Sequence, residues 1–92
     1  MVNQKEVRRC CKVINQYGLH TRTAAAIVEL VEQFDCEMTL SSEKGESDAK
    51  DMIRLMLLEA SQGTKLCISA TGKDAKTAVQ AMSEFIDAGF NE

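Results

Sequence analysis

Apolar residues recur along this chain with two different periods, and the two periods distinguish helices from strands. Between positions 21 and 33 the apolar residues stand three or four positions apart, which is the spacing of one helix face. A stripe with the same spacing follows position 74. The pattern predicts a first helix over 21–33 and a last helix over 74–88, with Gly89 ending it and 90–92 left as a tail. The two buried stripes are Ala24, Ile27, Val28, Val31 and Phe34, and Ala75, Ala78, Val79, Met82, Phe85 and Ile86.

Four segments show the two-residue alternation of half-buried strands. They cover positions 6–14, 36–42, 46–49 and 65–70. The turn Glu43-Lys44-Gly45 joins the second and third segments and predicts a hairpin between them. The third segment is short and polar, and its pattern is the weakest of the four.

The segment Met52–Leu58 predicts a short helix that is apolar on several sides. Asp51 precedes it, and an aspartate there accepts hydrogen bonds from first-turn N–H groups and suits the helix dipole. A protein of this size cannot bury every side of the helix, so we expect part of the set Met52, Ile53 and Met56 to remain exposed. An exposed patch rich in methionine is typical of a partner-binding surface. The alternative is a helix buried on all sides.

The predicted elements follow one another in the order β-α-β-β-α-β-α. Helices with one apolar stripe and strands with one apolar face indicate two layers, in which the helices pack on one face of an antiparallel sheet. We therefore expect the α+β class. A chain of 92 residues allows one small domain, so we expect a single domain over residues 1–92.

Charge and hydropathy argue against two kinds of interaction. The net charge of −3 and the lack of a basic tract argue against binding to nucleic acid. The amino end, Met1–Lys5, has no apolar run typical of a signal peptide, and no later segment is typical of a membrane span. We expect a cytoplasmic protein without membrane insertion.

Four cysteines, Cys10, Cys11, Cys36 and Cys67, lie in strand-like segments, where a thiol packs as a small hydrophobic group. Because nothing in the sequence indicates secretion, we expect the thiols to be reduced and mostly inert. The sequence also has no Cys-x-x-Cys pair and no histidine-bearing metal motif, so we expect no metal site.

His20 is the single histidine of the chain, and it stands where the first helix begins. A helix start presents unpaired N–H groups, including one from Thr21, together with a partial positive charge. Arg22 adds a guanidinium that binds phosphate oxygens in a forked arrangement. A neutral imidazole is nucleophilic, so these residues point to phosphoryl acceptance on a ring nitrogen. For a lone histidine without further context, an ordinary cap or surface role is the more common alternative.

The order Gly18-Leu19-His20-Thr21-Arg22, followed by small residues and an amphipathic helix, resembles the active-site signature of the HPr family. These proteins are the histidine-containing phosphocarriers of the bacterial phosphotransferase system. The resemblance extends over nearly the whole chain. It implies an open-faced β-sandwich with the strand order 1-4-2-3.

The resemblance also implies a function. His20 would take a phosphoryl group on Nδ1 from phosphorylated Enzyme I and pass it to a IIA-type protein. Arg22 and helix-start N–H groups, such as that of Thr21, would hold the phosphate. The docking surface would comprise the rim of the first helix together with Met52, Ile53 and Met56. Catalysis would come mainly from the partners, so the protein would be a monomeric carrier, not an enzyme, and would need no cofactor.

Two positions depart from the family pattern. Thr23 stands where the motif arginine is usually followed by proline; threonine keeps a first-turn N–H but lacks the fixed backbone angle of proline. Asp51 follows Ala49-Lys50, where many Gram-positive relatives carry a regulatory serine. Asp51 cannot accept that phosphate. A helix cap is the favoured interpretation of this aspartate, and a phosphoserine mimic is the alternative.

Other features concern the pathway. Glu29 and Glu32 lie on the outward side of the first helix, where several sugar-pathway relatives carry lysine. The segments 57–63 and 88–90 resemble the nitrogen-type branch, often called NPr, which serves regulation instead of sugar uptake. These features slightly favour the nitrogen-type branch.

Two other functions remain open from the sequence. One is a regulatory binding module that docks partners through the apolar patch of the second helix, without phosphorylation of His20. The other is a stand-alone hydrolase or kinase, for which the chain lacks a nucleotide-binding loop, a metal cluster and a base placed beside a nucleophile.

Overall fold

Four strands and three helices alternate along residues 5–92, the part of the chain that the computed structural model describes. The strands are β1 (Val7–Lys12), β2 (Glu37–Ser42), β3 (Gly45–Asp48) and β4 (Lys65–Thr71). The helices are α1 (Thr21–Val31), α2 (Met52–Met56) and α3 (Ala75–Asp87), and a short 3-10 turn follows at Gly89–Asn91. The predicted order of elements is confirmed. Residues 1–4, on which part of the signal-peptide expectation rests, lie outside the described residues.

The strands form one antiparallel sheet with the order β1-β4-β2-β3. In the register of this sheet, Ile68 of β4 faces Arg9 of β1 on one side and Leu40 of β2 on the other. The predicted hairpin pairs β2 with β3, and Ser42 faces Gly45 at its closed end. The α+β class and the strand order implied by the family resemblance are both confirmed.

The helices cover one face of the sheet and leave the other open. Every second residue of β4 is buried, as the pattern of half-buried strands predicts. In the layer above, α3 contacts β1 and β4, α2 contacts β3, and α1 contacts α2 and α3. The largest fully buried side chains are mostly aliphatic: Ile27, Leu40, Leu55, Leu66, Ile68, Met82 and Ile86. Burial of such a side chain contributes about 1.5–3 kcal/mol, so this layer holds the helices on the sheet.

Both α1 and α2 end two residues before the predicted position. Gln33 and Phe34 donate to the carbonyl oxygens of Leu30 and Val31, three residues back, at 3.2 and 3.1 Å. Bonds of this kind tighten the last turn and end the helix. Phe34 is consequently half-buried at the margin of the core. No helix within residues 5–92 has the length and apolar character needed to cross a membrane.

The segment after α3, predicted as a tail, folds back onto the protein. Gly89, Phe90 and Asn91 have positive φ angles of 66°, 57° and 58°. This left-handed backbone places Phe90 in the core, where it is 5% exposed and packs edge-on against Phe85 at a centroid distance of 5.4 Å. Burial of the aromatic ring offsets the strain of a left-handed conformation at a residue other than glycine.

Cys10 and Cys67 form a disulfide, so the expectation of reduced thiols is wrong for this pair. The two residues face each other directly in the register of β1 and β4, with Cα atoms 3.9 Å apart. Cys67 alternates with buried residues of β4, so the disulfide lies on the open face of the sheet. The pairing depends on the register of strands that are 57 positions apart, which the sequence pattern does not show.

Cys11 and Cys36 are free thiols. Burial raises the pKa of both, and the neighbouring Asp87 raises that of Cys11 further. A raised pKa keeps a cysteine in the thiol form, which is a poor nucleophile. These two residues therefore fit the expectation of inert cysteines.

Candidate functional site

The loop between β1 and α1 is fixed against the segment that follows α2. Leu19 N–H donates to the Ala60 carbonyl at 2.9 Å. Gly18 has a φ angle of +61°, and a Cβ atom at this position would overlap the Ala60 oxygen. Glycine is therefore required both by the left-handed backbone and by the close approach. These contacts place His20 at the start of α1.

His20 is the N-cap residue of α1 and has an extended backbone, with φ −128° and ψ −172°. Its side chain is 34% exposed. Nδ1 accepts a long hydrogen bond of 3.4 Å from the backbone N–H of Arg22. Nε2 lies 2.9 Å from Oε2 of Glu92. One ring nitrogen thus faces the helix start, and the other faces a carboxylate.

Thr23 completes the cap of α1. Its Oγ1 accepts the backbone N–H of His20 at 2.9 Å and lies 3.0 Å from the Gly18 carbonyl, to which it donates. The side chain is 1% exposed. A hydroxyl that returns a hydrogen bond to the N-cap backbone is one half of a capping box. Thr23 therefore constrains His20 by hydrogen bonding at the position where the family pattern implies proline.

Glu92 lies beside the His20 ring and binds Arg22. Its Oε2 accepts from Nη2 and Nε of Arg22 at 2.8 and 3.3 Å. Its Oε1 accepts from Nδ2 of Asn15 at 2.7 Å. The hydrogen bond from Arg22, followed by that from Asn15, lowers the pKa of Glu92 from 4.5 to about 2. The carboxylate is therefore ionised at neutral pH.

Asn15 joins Glu92 to the loop. The side chain is 8% exposed, and its Nδ2 also donates to the Gly18 carbonyl at 2.9 Å. Its Oδ1 is buried and has no hydrogen-bond partner within residues 5–92. The sequence patterns assigned Asn15 to a loop and Glu92 to a tail, and both residues were missed as parts of the site. Phe90 is the local feature of the sequence that indicates this contact. It is apolar, and its burial folds the segment 89–92 back against the protein.

The structure brings the three predicted motif residues together at the start of α1. Thr21 and Arg22 form the first turn directly after His20, and both are exposed. Oγ1 of Thr21 lies 3.5 Å from Sδ of Met56, so α2 reaches the site at this contact. The side chain of Arg22 is 78% exposed, which leaves its guanidinium accessible to an incoming anion.

The predicted docking residues on α2 differ in exposure. Ile53 is 69% exposed, whereas Met52 and Met56 are half-buried against the core. Leu57, which the sequence did not single out, is 67% exposed. The expectation that part of this set stays exposed is confirmed, and a helix buried on all sides is wrong. We call Met52, Ile53, Met56 and Leu57 the α2 patch.

Asp51 caps α2. Its Oδ1 accepts the backbone N–H of Arg54 at 3.0 Å, and its backbone is extended as in other N-cap residues. The capping interpretation of Asp51 is confirmed. The phosphoserine-mimic alternative stays a prediction.

Tyr17 is an exposed aromatic residue next to the site. It is 72% exposed, and its ring meets the His20 ring edge-on at a centroid distance of 6.4 Å. The sequence patterns placed it in the loop without a role. An exposed aromatic ring beside a reactive side chain offers apolar area to a docking partner.

The arrangement is suited to an anion. The Glu92 carboxylate shows that an anionic oxygen fits between the His20 ring and the Arg22 guanidinium. No acidic residue lies in the first turn of α1. Apart from Glu92, no carboxylate therefore neutralises the partial positive charge of this helix start.

Residues 7–88 match the protein family PTS-HPr, described as the PTS HPr component phosphorylation site. The chain belongs to the HPr family. Phosphocarrier protein HPr of Xylella fastidiosa is 42% identical over 80 residues, which cover 87% of this chain and 90% of that relative. Phosphocarrier protein NPr of Escherichia coli K12 is 31% identical over 87 residues, 94% of this chain and 97% of the relative.

A solved structure supports the same assignment. HPr-C-His from Thermoanaerobacter tengcongensis superimposes with a TM-score of 0.83 at 32% sequence identity, over 96% of this chain and 97% of the other. HPr-family members are phosphocarriers of the phosphotransferase system, so this chain is a carrier and not an enzyme. The predicted resemblance is confirmed.

Proposed function

We propose that His20 accepts a phosphoryl group on Nδ1 from phosphorylated Enzyme I and passes it to a IIA-type protein. The placement of Nδ1 carries this proposal. It faces the start of α1, 3.4 Å from the Arg22 N–H, while the Arg22 guanidinium is joined to the ring through Glu92. Within the proposal the chain acts in the cytoplasm as a single monomeric domain that offers one face to each partner in turn.

The transfer requires one bond to form and one to break. The Nδ1 lone pair of His20 attacks phosphorus, the bond from phosphorus to the donor atom breaks, and its electron pair stays with the donor. As this attack begins, the backbone N–H of Arg22 releases the Nδ1 lone pair and donates to a phosphoryl oxygen instead. The guanidinium exchanges part of its contact with Glu92 for a second phosphoryl oxygen. The reverse sequence hands the group to the acceptor.

Exposure of the site suits a carrier. The His20 side chain is 34% exposed and Arg22 is 78% exposed, so the phosphoryl group would be held at the surface. Ion pairs in such surroundings are typically worth about 0–1 kcal/mol, which binds the group without trapping it. A buried phosphate site would hold the group too tightly for onward transfer.

The α2 patch is placed to orient the partners. The contact between Thr21 and Met56 sets the patch directly beside the site, and Ile53 and Leu57 present apolar side chains to solvent there. Tyr17 adds an exposed ring next to His20. Apolar side chains next to Nδ1 can contact first the protein that gives the phosphoryl group and then the protein that receives it, because neither contact requires a specific hydrogen bond.

Transfer from phosphoenolpyruvate through Enzyme I, followed by intact mass, tests the proposal. The parent protein is expected to gain the mass of one phosphoryl group and to lose it in acid, whereas His20→Ala gains none. Phosphorylation of His20→Ala, or no phosphorylation of the parent by a competent cognate Enzyme I, would contradict the proposal.

The exposed α2 patch also supports a second candidate, a regulatory binding module that docks partners without phosphorylation. Ile53 and Leu57 are 69% and 67% exposed, which suits docking in either case. Binding of a target by His20→Ala with parental affinity, together with an unphosphorylated parent, would favour this candidate.

Exposed Glu29 on α1 and exposed Glu32, the C-cap residue of α1, favour the nitrogen-type branch within the proposal. We expect a nitrogen-type Enzyme I to phosphorylate the protein faster than a sugar-type Enzyme I at equal concentration. The opposite order of rates would assign the protein to the sugar-type branch.

A further inference from the structure

We infer that Glu92 is a positioning residue for His20: its carboxylate holds the ring proton on Nε2 and thereby leaves Nδ1 as the nucleophile. The effect on transfer rests on the proposed function. The position of the proton, in contrast, is a property of the unphosphorylated protein and can be measured without any partner.

The two hydrogen bonds of the His20 ring require the same tautomer. Nδ1 faces the backbone N–H of Arg22 at 3.4 Å, so Nδ1 must carry a lone pair to accept it. Nε2 faces Oε2 of Glu92 at 2.9 Å, and an ionised carboxylate only accepts, so Nε2 must carry the proton. In the other tautomer, the lone pair of Nε2 would face the Glu92 carboxylate. The N–H of Nδ1 would face the backbone N–H of Arg22.

The carboxylate is held in place from several sides. Oε1 of Glu92 binds Nδ2 of Asn15 at 2.7 Å, and Oε2 binds Arg22 at 2.8 Å. Asn15 is itself buried and donates to the Gly18 carbonyl at 2.9 Å. Phe90, two residues before Glu92, is 5% exposed and anchors the segment in the core. The Glu92 side chain is 14% exposed because it lies against His20, Asn15 and Arg22.

Glu92 also acts on the charge that develops during transfer. When Nδ1 attacks phosphorus, the ring gains positive charge while the proton stays on Nε2. A carboxylate 2.9 Å from Nε2 stabilises that charge, as the carboxylate of a catalytic triad does for its histidine. Glu92 remains ionised throughout the neutral range, since its pKa is about 2. Phosphoryl acceptance on Nδ1 then requires no proton transfer.

Arg22 makes this arrangement compatible with an anionic substrate. A free carboxylate would repel an incoming phosphoryl group. The guanidinium at 2.8 Å from Oε2 offsets that charge on the side of the site that faces solvent. Glu92 and Arg22 therefore act as a pair, one on the ring and one on the phosphoryl oxygens.

The first test is ¹⁵N NMR of the His20 ring, recorded at alkaline pH. In the parent we expect Nε2 to be the protonated nitrogen. In Glu92→Ala we expect the fraction of the Nδ1-protonated tautomer to rise about tenfold, the effect of losing a hydrogen bond to a charged group. Glu37→Ala is the matched control, because Glu37 is an exposed carboxylate at the end of the sheet remote from His20, and it should leave the spectrum unchanged.

The second test is the rate of phosphoryl acceptance from Enzyme I. We expect Glu92→Ala to lower the rate at saturation about tenfold with little change in the half-saturating concentration, because Glu92 acts on the ring and not on docking. Circular dichroism checks that the variant is folded. Glu92→Gln, which keeps the size of the side chain without its charge, should also accept more slowly than the parent.

An unchanged tautomer fraction in folded Glu92→Ala would overturn the inference, and so would acceptance at the parental rate or faster. A parent protein that Enzyme I does not phosphorylate would instead contradict the proposed function. In that case the NMR comparison still decides whether Glu92 sets the tautomer of His20.

Discussion

Thr23 constrains His20 at the start of α1: its Oγ1 accepts the His20 backbone N–H at 2.9 Å and donates to the Gly18 carbonyl at 3.0 Å. One buried hydroxyl thus connects the loop before His20 with the helix after it. A proline at this position, as the family pattern implies, would limit the backbone through the fixed φ of its ring. In this chain the constraint is a pair of hydrogen bonds, and a change of one side chain tests it.

Thr23→Val removes the hydroxyl and keeps the branched shape of the side chain. We expect it to lower the free energy of unfolding by about 1–2 kcal/mol, because the His20 N–H and the Gly18 carbonyl both lose a partner. Urea denaturation measures the change. Thr39→Val on the half-buried strand β2 is the control and should stay within about 0.5 kcal/mol of the parent. Equal losses in the two variants would show that the cap contributes nothing specific.

A comparison of alanine variants at Gly18 and Gly63 distinguishes the energetic cost of backbone strain from that of steric overlap. Both have positive φ angles, +61° and +93°, but a Cβ on Gly18 would meet the Ala60 carbonyl, whereas no atom lies within 4 Å of a Cβ on Gly63. We expect Gly63→Ala to lower the free energy of unfolding by about 1–2 kcal/mol, the penalty of the left-handed backbone. Gly18→Ala should lower it by about 1–3 kcal/mol more because of the overlap. It should also slow phosphoryl acceptance by displacing His20. Thermal denaturation measures the stability of both variants. A similar loss of stability in the two would contradict the role of the close approach between Gly18 and the Ala60 carbonyl.

The parts of the structure that the sequence predicts are those set by local pattern. Leu66 and Ile68 alternate with polar residues, and that alternation alone indicates which face of β4 is buried. His20 and Arg22 are two positions apart, so the helix start that joins them is visible in the sequence. The family resemblance added the strand order, which local patterns do not contain.

The parts that the sequence did not predict depend on distant residues. Glu92 reaches His20 only because Phe90 is buried against Phe85 and turns the chain back. The disulfide requires Cys10 and Cys67 to meet in the register of two strands. A pattern read in a short window contains neither relationship, since both arise when the sheet and the last helix have already packed.

Glu92 makes stability depend on pH in the acid range. Its pKa is lowered in the folded protein from 4.5 to about 2, chiefly by the hydrogen bond from Arg22 and then by that from Asn15. A carboxyl whose pKa is lowered by folding stabilises the fold in its ionised form. Its contribution is therefore complete above pH 4.5 and is lost as the pH falls towards 2.

A ¹³C NMR titration of the Glu92 carboxyl checks this expectation directly. The midpoint should lie well below 4.5. Thermal denaturation of Glu92→Gln should show a weaker dependence on pH over the same range, because glutamine does not ionise. A Glu92 midpoint near 4.5 would mean that Arg22 and Asn15 do not hold the carboxylate in solution.

The disulfide should stabilise the pairing of β1 with β4. Reduction of a bond between residues 57 positions apart is expected to lower the free energy of unfolding by about 4 kcal/mol, since the unfolded chain regains the freedom that the closed loop removes. Urea denaturation with and without a reductant measures this. The double variant Cys10→Ser, Cys67→Ser should resemble the reduced parent and should not respond to the reductant. A parent whose stability is the same in both conditions would show that the bond is absent in solution or without effect.

The α2 patch should affect docking without affecting the fold. Ile53 and Leu57 are 69% and 67% exposed, so Ile53→Ser and Leu57→Ser are expected to change the free energy of unfolding by less than about 0.5 kcal/mol. In phosphorylation by Enzyme I each should raise the half-saturating concentration about tenfold, which corresponds to the loss of one buried apolar side chain at an interface. The rate at saturation should stay near that of the parent, because His20 and Arg22 are unchanged.

Ile14→Ser is the matched control for the patch. Ile14 is a 51% exposed isoleucine in the loop after β1, so its replacement removes a similar apolar side chain from a different element. We expect its half-saturating concentration to stay within about twofold of the parent value, a change worth less than about 0.5 kcal/mol. If Ile14→Ser weakened docking as much as Ile53→Ser, exposed apolar area in general would explain the effect. If Ile53→Ser and Leu57→Ser lowered the rate at saturation instead, the α2 patch would act on the geometry of the transfer and not on docking.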